Sequence, residues 1–311
     1  MFNGKSVFIS GGTGSFGRKF ANILLERYDL ARLVFYSRDE LKQFEMQQEV
    51  NAPCIRWLIG DVRDRERLIE AIRGNIYGAE NIVAAALAND VEQVVVLSSD
   101  KAANPINLYG ATKLASDKLF IAASNMAGKR RTTFSVVRYG NVAGLRRSVV
   151  PFFEKLIVQG ATSLPITDTA MTRFWISLRE SVDFVLKCFR RMHGGEIFVP
   201  KMPSIRIVDL ATAMAPHLPQ NLTGIRLGEK LHEILCPANS SHLTLEFRDH
   251  YVMRHVMRPS IKFHDRGYDY LENRLGETGA FVARGFEYNS GTNPVRYSVE
   301  QIREFYERTK T

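Results

Sequence analysis

Two neighbouring stretches carry groups whose types and spacing suit redox and acid–base chemistry. They are Leu97-Ser98-Ser99-Asp100-Lys101 and Tyr109-Gly110-Ala111-Thr112-Lys113. Tyr109 and Lys113 are four apart, so on a helix they share one face. An ammonium beside a phenol lowers the phenol pKa. Tyr109 can then take a substrate hydroxyl proton while hydride leaves the carbon, and Ser99 can hydrogen-bond the same oxygen. That trio is all a simple dehydrogenase requires. Asp100 and Lys101 add a carboxyl and an amine, an acid/base pair that hydride transfer alone does not use. Taken by itself, that pair also reads as a strand-end cap followed by a solvated lysine.

A glycine turn lies near the start of the chain. The apolar run 5–9 ends at Gly11-Gly12-Thr13-Gly14-Ser15-Phe16-Gly17. The pattern is strand, tight turn, helix start. The turn lets the backbone approach a pyrophosphate, and the helix N-terminus supplies free N–H groups and a positive dipole end. Gly11, Thr13, Gly14, Ser15, Phe16 and Gly17 are the expected contacts. The end of the second strand selects the cofactor. It offers Ser37-Arg38 first and Asp39 only afterwards. Arg38 can pair a ribose 2′-phosphate in bidentate fashion, with Lys42 in support, which points to NADP. Arg38 can equally be a solvated surface arginine. Asp61, after the third strand, reads either as an adenine contact with Val62 packed on the ring or as a helix cap.

These groups need a scaffold to hold them. Strands are expected at 32–36, 55–59, 93–98 and 133–138. Helices are expected from the glycine turn to about 28, through about 49, over 65–73, and from 109 to about 126. Such alternation specifies an α/β fold with a doubly wound parallel sheet. The alternation fails once. The helix ending near Gly74 is followed by another helical stretch, 75–89, with no strand between, where a βαβ crossover needs one. Past Asn141, short helices at 151–159, 178–191 and 207–215 mix with short strands such as 196–200. The expected division is a nucleotide-binding domain over 1–142, to which strand 196–200 returns, and a smaller substrate-binding region over 143–311.

Composition narrows the classes. A chain of 311 residues, 45% hydrophobic, can bury a sizeable core. No secretory signal and no apolar stretch of membrane-spanning length is evident. Cys54, Cys188 and Cys236 have no disulfide or metal spacing, which fits a reduced, cytoplasmic setting. The formal charge is +9, from 42 basic and 33 acidic residues. It suits nucleotide diphosphates as well as nucleic acid. Basic residues are spread along the chain apart from Lys129-Arg130-Arg131, which reads as a solvated helix end. Nucleic acid and membrane are therefore not the expected partners.

The motifs together resemble the extended short-chain dehydrogenase/reductase family. Within it the chain is most similar to the inverting UDP-N-acetylglucosamine 4,6-dehydratases of flagellin-sugar (pseudaminic acid) biosynthesis. The resemblance rests on the glycine turn, Tyr36-Ser37-Arg38-Asp39-Glu40-Leu41-Lys42, the run from Asp100 through Asn104-Pro105 to Lys113, and Val137-Arg138-Tyr139-Gly140-Asn141-Val142. It also rests on Met171-Thr172-Arg173-Phe174-Trp175, Gly228-Glu229-Lys230-Leu231-His232-Glu233 and the C-terminal stretch Glu287-Tyr288-Asn289-Ser290-Gly291-Thr292-Asn293.

The resemblance implies a cytoplasmic homo-oligomer that binds NADP and acts on UDP-N-acetylglucosamine. Tyr109 deprotonates the 4-hydroxyl as hydride leaves carbon 4. A neutral Lys101 removes the proton on carbon 5, and a protonated Asp100 delivers one to the departing 6-hydroxyl. Hydride then returns to carbon 6, and carbon 5 is reprotonated from the opposite face. Burial pushes both groups toward their neutral forms. Their mutual pairing opposes it, so they titrate as a coupled pair. Asn141 is a candidate for the sugar or nicotinamide region, Arg173 and Arg226 for the UDP diphosphate, and Glu229 for the uridine ribose hydroxyls. Surface pairing is the alternative for each.

The chain departs from the family pattern. A strand, an Ala-rich turn and a lysine-bearing loop are absent after Gly74, roughly 25 residues, about a strand plus its loop. Ser99 stands where threonine is usual, Leu227 where proline is usual, and Leu145-Arg146-Arg147 where Ser-Arg-Gly is usual. Two other readings remain open. One is a UDP-sugar 4-epimerase, which would use Tyr109 and Lys113 without the acid/base pair. The other is a nucleotide-binding homologue impaired by the missing segment.

Overall fold

A computed structural model describes residues 1–50, 52–59, 70–128, 130–143, 148–225, 228–254 and 271–310. Asp61, Val62, Lys129, Leu145, Arg146, Arg147, Arg226 and Leu227 lie outside the described residues. The chain forms two compact units, Met1–Ile82 and Val83–Thr311.

In the first unit, β1 (Ser6–Ser10), α1 (Ser15–Arg27), β2 (Arg32–Ser37), α2 (Glu40–Glu49) and β3 (Ile55–Ile59) alternate. The strands pair in parallel, with β2 between β1 and β3. The β2 positions Leu33 and Phe35 are fully buried, and Phe20, Ile23 and Leu24 of α1 are buried too. Phe35 also stacks on Trp57 of β3, centroids 4.5 Å apart. Among the described residues β1 pairs on one side only. Its Phe8 is 58% exposed, unusual for a parallel strand, which is normally covered on both faces.

The helix α3 (Glu70–Ala88) runs through Gly74 without a break. The two helical stretches expected on either side of Gly74 are therefore one helix across 70–88. With no strand between them, nothing interrupts the i→i−4 ladder, and a single glycine costs a helix only about 1 kcal/mol. The boundary between the units falls inside α3.

The second unit opens with β4 (Gln93–Ser99), α4 (Leu108–Met126), β5 (Thr133–Tyr139) and β6 (Asn141–Val142). It continues through α5 (Val149–Val158), β7 (Leu164–Ile166), β8 (Thr172–Ile176), α6 (Leu178–Arg191), β9 (Glu196–Pro200), β10 (Ser204–Arg206), α7 (Ile207–Met214) and β11 (Gln220–Leu222). It closes with β12 (Ile234–Cys236), β13 (Thr244–Glu246), β14 (His250–Arg254), β15 (Ala280–Phe281), β16 (Tyr288–Asn289) and α8 (Val299–Lys310). Its main sheet has six strands in the order β15-β13-β14-β9-β5-β4. β4, β5 and β9 are parallel, and β14 adds antiparallel to β9. Like β1, β4 has one partner among the described residues. A second core gathers Val150, Phe153, Leu164, Ile166, Leu210 and Phe305 from α5, β7, α7 and α8.

A buried ion pair stiffens the sheet behind the site. Arg138 of β5 donates from Nη2 to Asp117 Oδ2 of α4 at 2.9 Å, and from Nη1 to Leu235 O of β12 at 3.1 Å. Ser98 Oγ of β4 donates to the same Asp117 oxygen at 2.8 Å.

Candidate active site

The site forms where β4 ends. Ser99 is the N-cap of a short 3-10 turn, Asp100–Ala102, and its Oγ accepts from the Lys101 backbone N–H at 3.3 Å. The chain passes through Asn104, held at φ 45°, and reaches α4. Asn107 starts that helix, its Oδ1 accepting from Gly110 N–H at 2.9 Å. Its Nδ2 donates to Gly228 O at 3.1 Å, so one asparagine caps the helix and ties down the loop carrying Glu229. Gly110 has no alternative. A Cβ there would lie 2.5 Å from Lys101 O, and this close approach seats the first turn of α4, with Tyr109, against the Asp100–Lys101 backbone.

These residues border a cavity of about 780 Å³. Its wall includes Ser99, Asp100, Lys101, Tyr109, Asn141, Arg173, Glu229 and Glu233. Of the expected catalytic set only Lys113 does not line it. Burial lowers the Lys113 pKa, with the Asp117 carboxylate opposing.

Asp100 is 3% exposed. Lys101 Nζ donates to both its oxygens, at 3.0 Å to Oδ2 and 3.2 Å to Oδ1. The Lys101 side chain keeps 45% of its surface and lines the cavity. Burial pushes this ammonium toward neutrality, but the Asp100 and Glu233 carboxylates and the hydrogen bond to Asp100 outweigh it. Its pKa lies above the usual lysine value. The resting pair is thus an ion pair, whereas the expected chemistry uses its neutral form.

Around this pair the wall is charged and internally bonded. Arg173 of β8 donates to Thr172 O, Leu231 O and Met171 Sδ at 2.7, 3.2 and 3.1 Å, and its Nε lies 3.3 Å from Glu233 Oε1. Lys230 Nζ donates to Ala103 O, joining the 228–233 loop to the 3-10 turn. Glu229 presents a buried Oε2 that has no hydrogen-bond partner among the described residues. Trp175 packs in the wall, 2% exposed.

The glycine turn belongs to the first unit. Gly11 sits at φ 66°, a left-handed conformation that favours glycine. A Cβ on Gly17 would lie 2.4 Å from Gly12 O, and one on Gly12 would lie 2.4 Å from the Phe35 ring. Gly14 is the N-cap of α1 and brings no side chain to its free N–H groups. Thr13 Oγ1 and Ser37 Oγ are 3.0 Å apart. Asp39 is committed elsewhere. It caps α2, accepting from Lys42 N–H at 3.0 Å, and it also holds the Lys42 ammonium. These bonds to Lys42 hold its carboxyl below the usual range. Arg38 is exposed. The turn fits a dinucleotide, because it leaves backbone rather than side chains where a pyrophosphate would lie.

Sequence reasoning did not single out Asn107, Lys230 or Glu233. Asn107 carries a readable signal, an Asn just before a helix. Glu233 carries none, because only the fold brings it to the cavity wall that Asp100 also lines.

The alternation of strands and helices with a parallel sheet is the α/β fold that the sequence pattern leads one to expect. The chain belongs to the family described as polysaccharide biosynthesis protein, whose profile matches residues 7–73 and 67–255. It is 52% identical to a UDP-N-acetylglucosamine 4,6-dehydratase (inverting) of Campylobacter jejuni subsp. jejuni serotype O:2, over 100% of this chain and 99% of the relative. It is 38% identical to a UDP-glucose 4-epimerase of Rickettsia conorii, over 81% of this chain and 83% of that one. The X-ray structure of Pen from Bacillus thuringiensis superposes with a TM-score of 0.86 at 30% identity, over 100% and 99% of the two chains. The Campylobacter alignment is 336 positions long against 311 residues here, so at least 25 positions face a gap in this chain. The family match breaks into two segments where α3 begins.

Proposed function

We propose that the protein removes water from UDP-N-acetylglucosamine across carbons 5 and 6, inverting carbon 5. The observation that carries this reading is the Asp100–Lys101 pair, held at 3.0 Å in the wall that Ser99 and Tyr109 also line. The names of the relatives 52% identical over the full chain support it.

Bound at the glycine turn, NADP would supply the hydride acceptor for carbon 4 and the donor for carbon 6. Tyr109 takes the 4-hydroxyl proton, and Ser99 hydrogen-bonds the same oxygen. The ketone so formed acidifies carbon 5. Lys101 Nζ removes that proton, and Asp100 protonates the departing 6-hydroxyl. The proton Lys101 gains equals the one Asp100 spends, and the two are bonded, so one transfer restores both. The proton Tyr109 gains balances the one returned to carbon 5. Glu229 Oε2, buried and unpartnered, is suited to accept from the ribose hydroxyls, and Arg173 and Arg226 are assigned to the diphosphate. Asn141 lines the sugar end. On the family resemblance we assign the enzyme to a cytoplasmic homo-oligomer in flagellin-sugar (pseudaminic acid) synthesis. No helix among the described residues is long and apolar enough to cross a membrane.

Incubation with UDP-N-acetylglucosamine, read by product mass, tests the reading. Loss of one water supports it. An isomer of unchanged mass would favour the 4-epimerase named by the Rickettsia relative, and unaltered substrate a binding protein.

Cofactor choice gives a separate prediction. With Asp39 bound to Lys42, Arg38 is the residue assigned to the 2′-phosphate. Arg38→Ala should weaken NADP binding by about 10- to 100-fold, the worth of one charged hydrogen-bonded pair, with NAD binding little changed. Fluorescence titration with both nucleotides checks this, and equal losses for the two would remove Arg38 from the assignment.

A further inference from the structure

We propose that Lys230 is a positioning residue for the Asp100–Lys101 pair, and that through it the loop assigned to the nucleotide half of the substrate sets the geometry of the acid/base turn. The inference deepens the dehydratase reading and rests on it. Two side-chain bonds join the loop 228–233 to the segment 100–107. Asn107 Nδ2 donates to Gly228 O at 3.1 Å, and Lys230 Nζ donates to Ala103 O. Glu229, the residue assigned to the ribose hydroxyls, stands between these two anchor points in the chain. Its buried Oε2 has no hydrogen-bond partner among the described residues.

Both ends of this connection are fixed. Ala103 closes the 3-10 turn, its N–H donating to Asp100 O at 3.1 Å, and it is 1% exposed. Removing the ammonium takes a donor from a buried carbonyl, which is costly and favours a shift of the turn. On the other side, Leu231 O accepts from Thr172 N–H of β8 at 3.1 Å and from Arg173 Nη1 at 3.2 Å. The loop is therefore anchored to β8 directly after Lys230, and the lysine ties the turn to a fixed strand. Gly228 lets the loop come this close. It sits at φ 85°, and a Cβ there would lie 3.2 Å from Asn107 Nδ2.

A ligand that holds Glu229 holds the chain between the two anchors, and both bonds carry that order into 100–107. Binding energy from the non-reacting half of the substrate is then used to fix Lys101 and Asp100 against carbon 5 and the 6-hydroxyl. Loss of such a residue slows the reaction more than it weakens binding.

Hydrogen exchange of the whole protein, with UDP as the probe, tests this without turnover. In wild type, UDP should slow amide exchange in peptides covering 100–107. Lys230→Met keeps the aliphatic stem and drops the donor, and most of that slowing should be lost. Lys230→Arg keeps a donor and should restore it. With UDP-N-acetylglucosamine, kcat for water loss should fall by about 10- to 100-fold in Lys230→Met, with KM changed by less than about threefold. Should the Met variant fail to fold, Asn107→Ser keeps a capping hydroxyl for α4, drops the bond to Gly228, and should show the same loss of protection. No slowing in wild type, equal slowing in wild type and variants, or a KM that rises while kcat stands would overturn the inference. Water loss without the exchange difference would sink this inference alone, and the exchange difference without water loss would sink the dehydratase reading alone.

Discussion

Lys101→Ala is expected to abolish water loss from UDP-N-acetylglucosamine while leaving NADP binding intact. The side chain is the only amine bonded to Asp100 among the described residues, and the proposed chemistry assigns it removal of the carbon 5 proton. Loss of a positioned base costs about 10²–10⁴-fold in rate. Tyr109 and Ser99 are untouched, so oxidation at carbon 4 persists and the defect falls on the elimination. The energetics of the pair explain why the cavity must be closed for this chemistry. In water an ammonium and a carboxylate prefer the charged form by roughly 6.5 pKa units, about 9 kcal/mol. Desolvating two ions costs several kcal/mol each, so burial by bound substrate is large enough to offset that preference. The glycine turn lies in Met1–Ile82 and Lys101 in Val83–Thr311, so NADP binding at the turn should survive the substitution, and thermal unfolding of the variant checks that the unit carrying it still folds. Retained dehydration in this variant would remove the lysine from the mechanism.

Supplying a strand beside β1, which pairs on one side only among the described residues, is expected to stabilise the protein and to raise its turnover. The doubly wound order places a further parallel strand beside the first. Here β1 and β4 each pair on one side only among the described residues. Grafting the corresponding segment of the Campylobacter relative between residues 67 and 73 would give β1 a neighbour and cover Phe8, now 58% exposed. Burial of one phenylalanine contributes about 1.5–3 kcal/mol, before any of the new ladder hydrogen bonds. At about 2–4 °C per kcal/mol for a chain of this class, the melting temperature should rise by several degrees. Aggregation should fall, since open strand edges template association. Thermal unfolding and light scattering of the two proteins check this, and an unchanged or lower melting temperature would mean that the open edge of β1 is not a liability.

Much of this architecture was legible in the residues, for physical reasons that differ by element. The strand 55–59 and the helix 178–191 are where the apolar periodicity puts them. Helix 178–191 also begins with a capping box from Ser177 and Glu180, a signal written in adjacent residues. The break after Gly74 was legible because a βαβ unit cannot omit its strand, but the fusion of its flanks into one helix was not, since each half alone satisfies the pattern. The addition of β14 and β13 to the sheet edge was invisible, because antiparallel neighbours are chosen by the fold rather than by local spacing. In the site, Ser99, Asp100, Lys101 and Tyr109 are close in sequence and their convergence followed from one turn and one helix. Glu233 reaches them through Thr172 and Ser290, contacts that no local pattern encodes. The charge state of Lys101 also escaped, since it is set by two carboxylates, one of them Glu233.

The central claim is that an amine and a carboxylic acid act on a transient 4-ketone to expel the 6-hydroxyl. Running the reaction in D2O with unlabelled UDP-N-acetylglucosamine and reading the product by mass and NMR tests it most directly. Loss of one water is expected, with one solvent deuterium on carbon 5 and none on carbon 6, which receives the hydride first taken from carbon 4. A product of unchanged mass with no deuterium on carbon would contradict it.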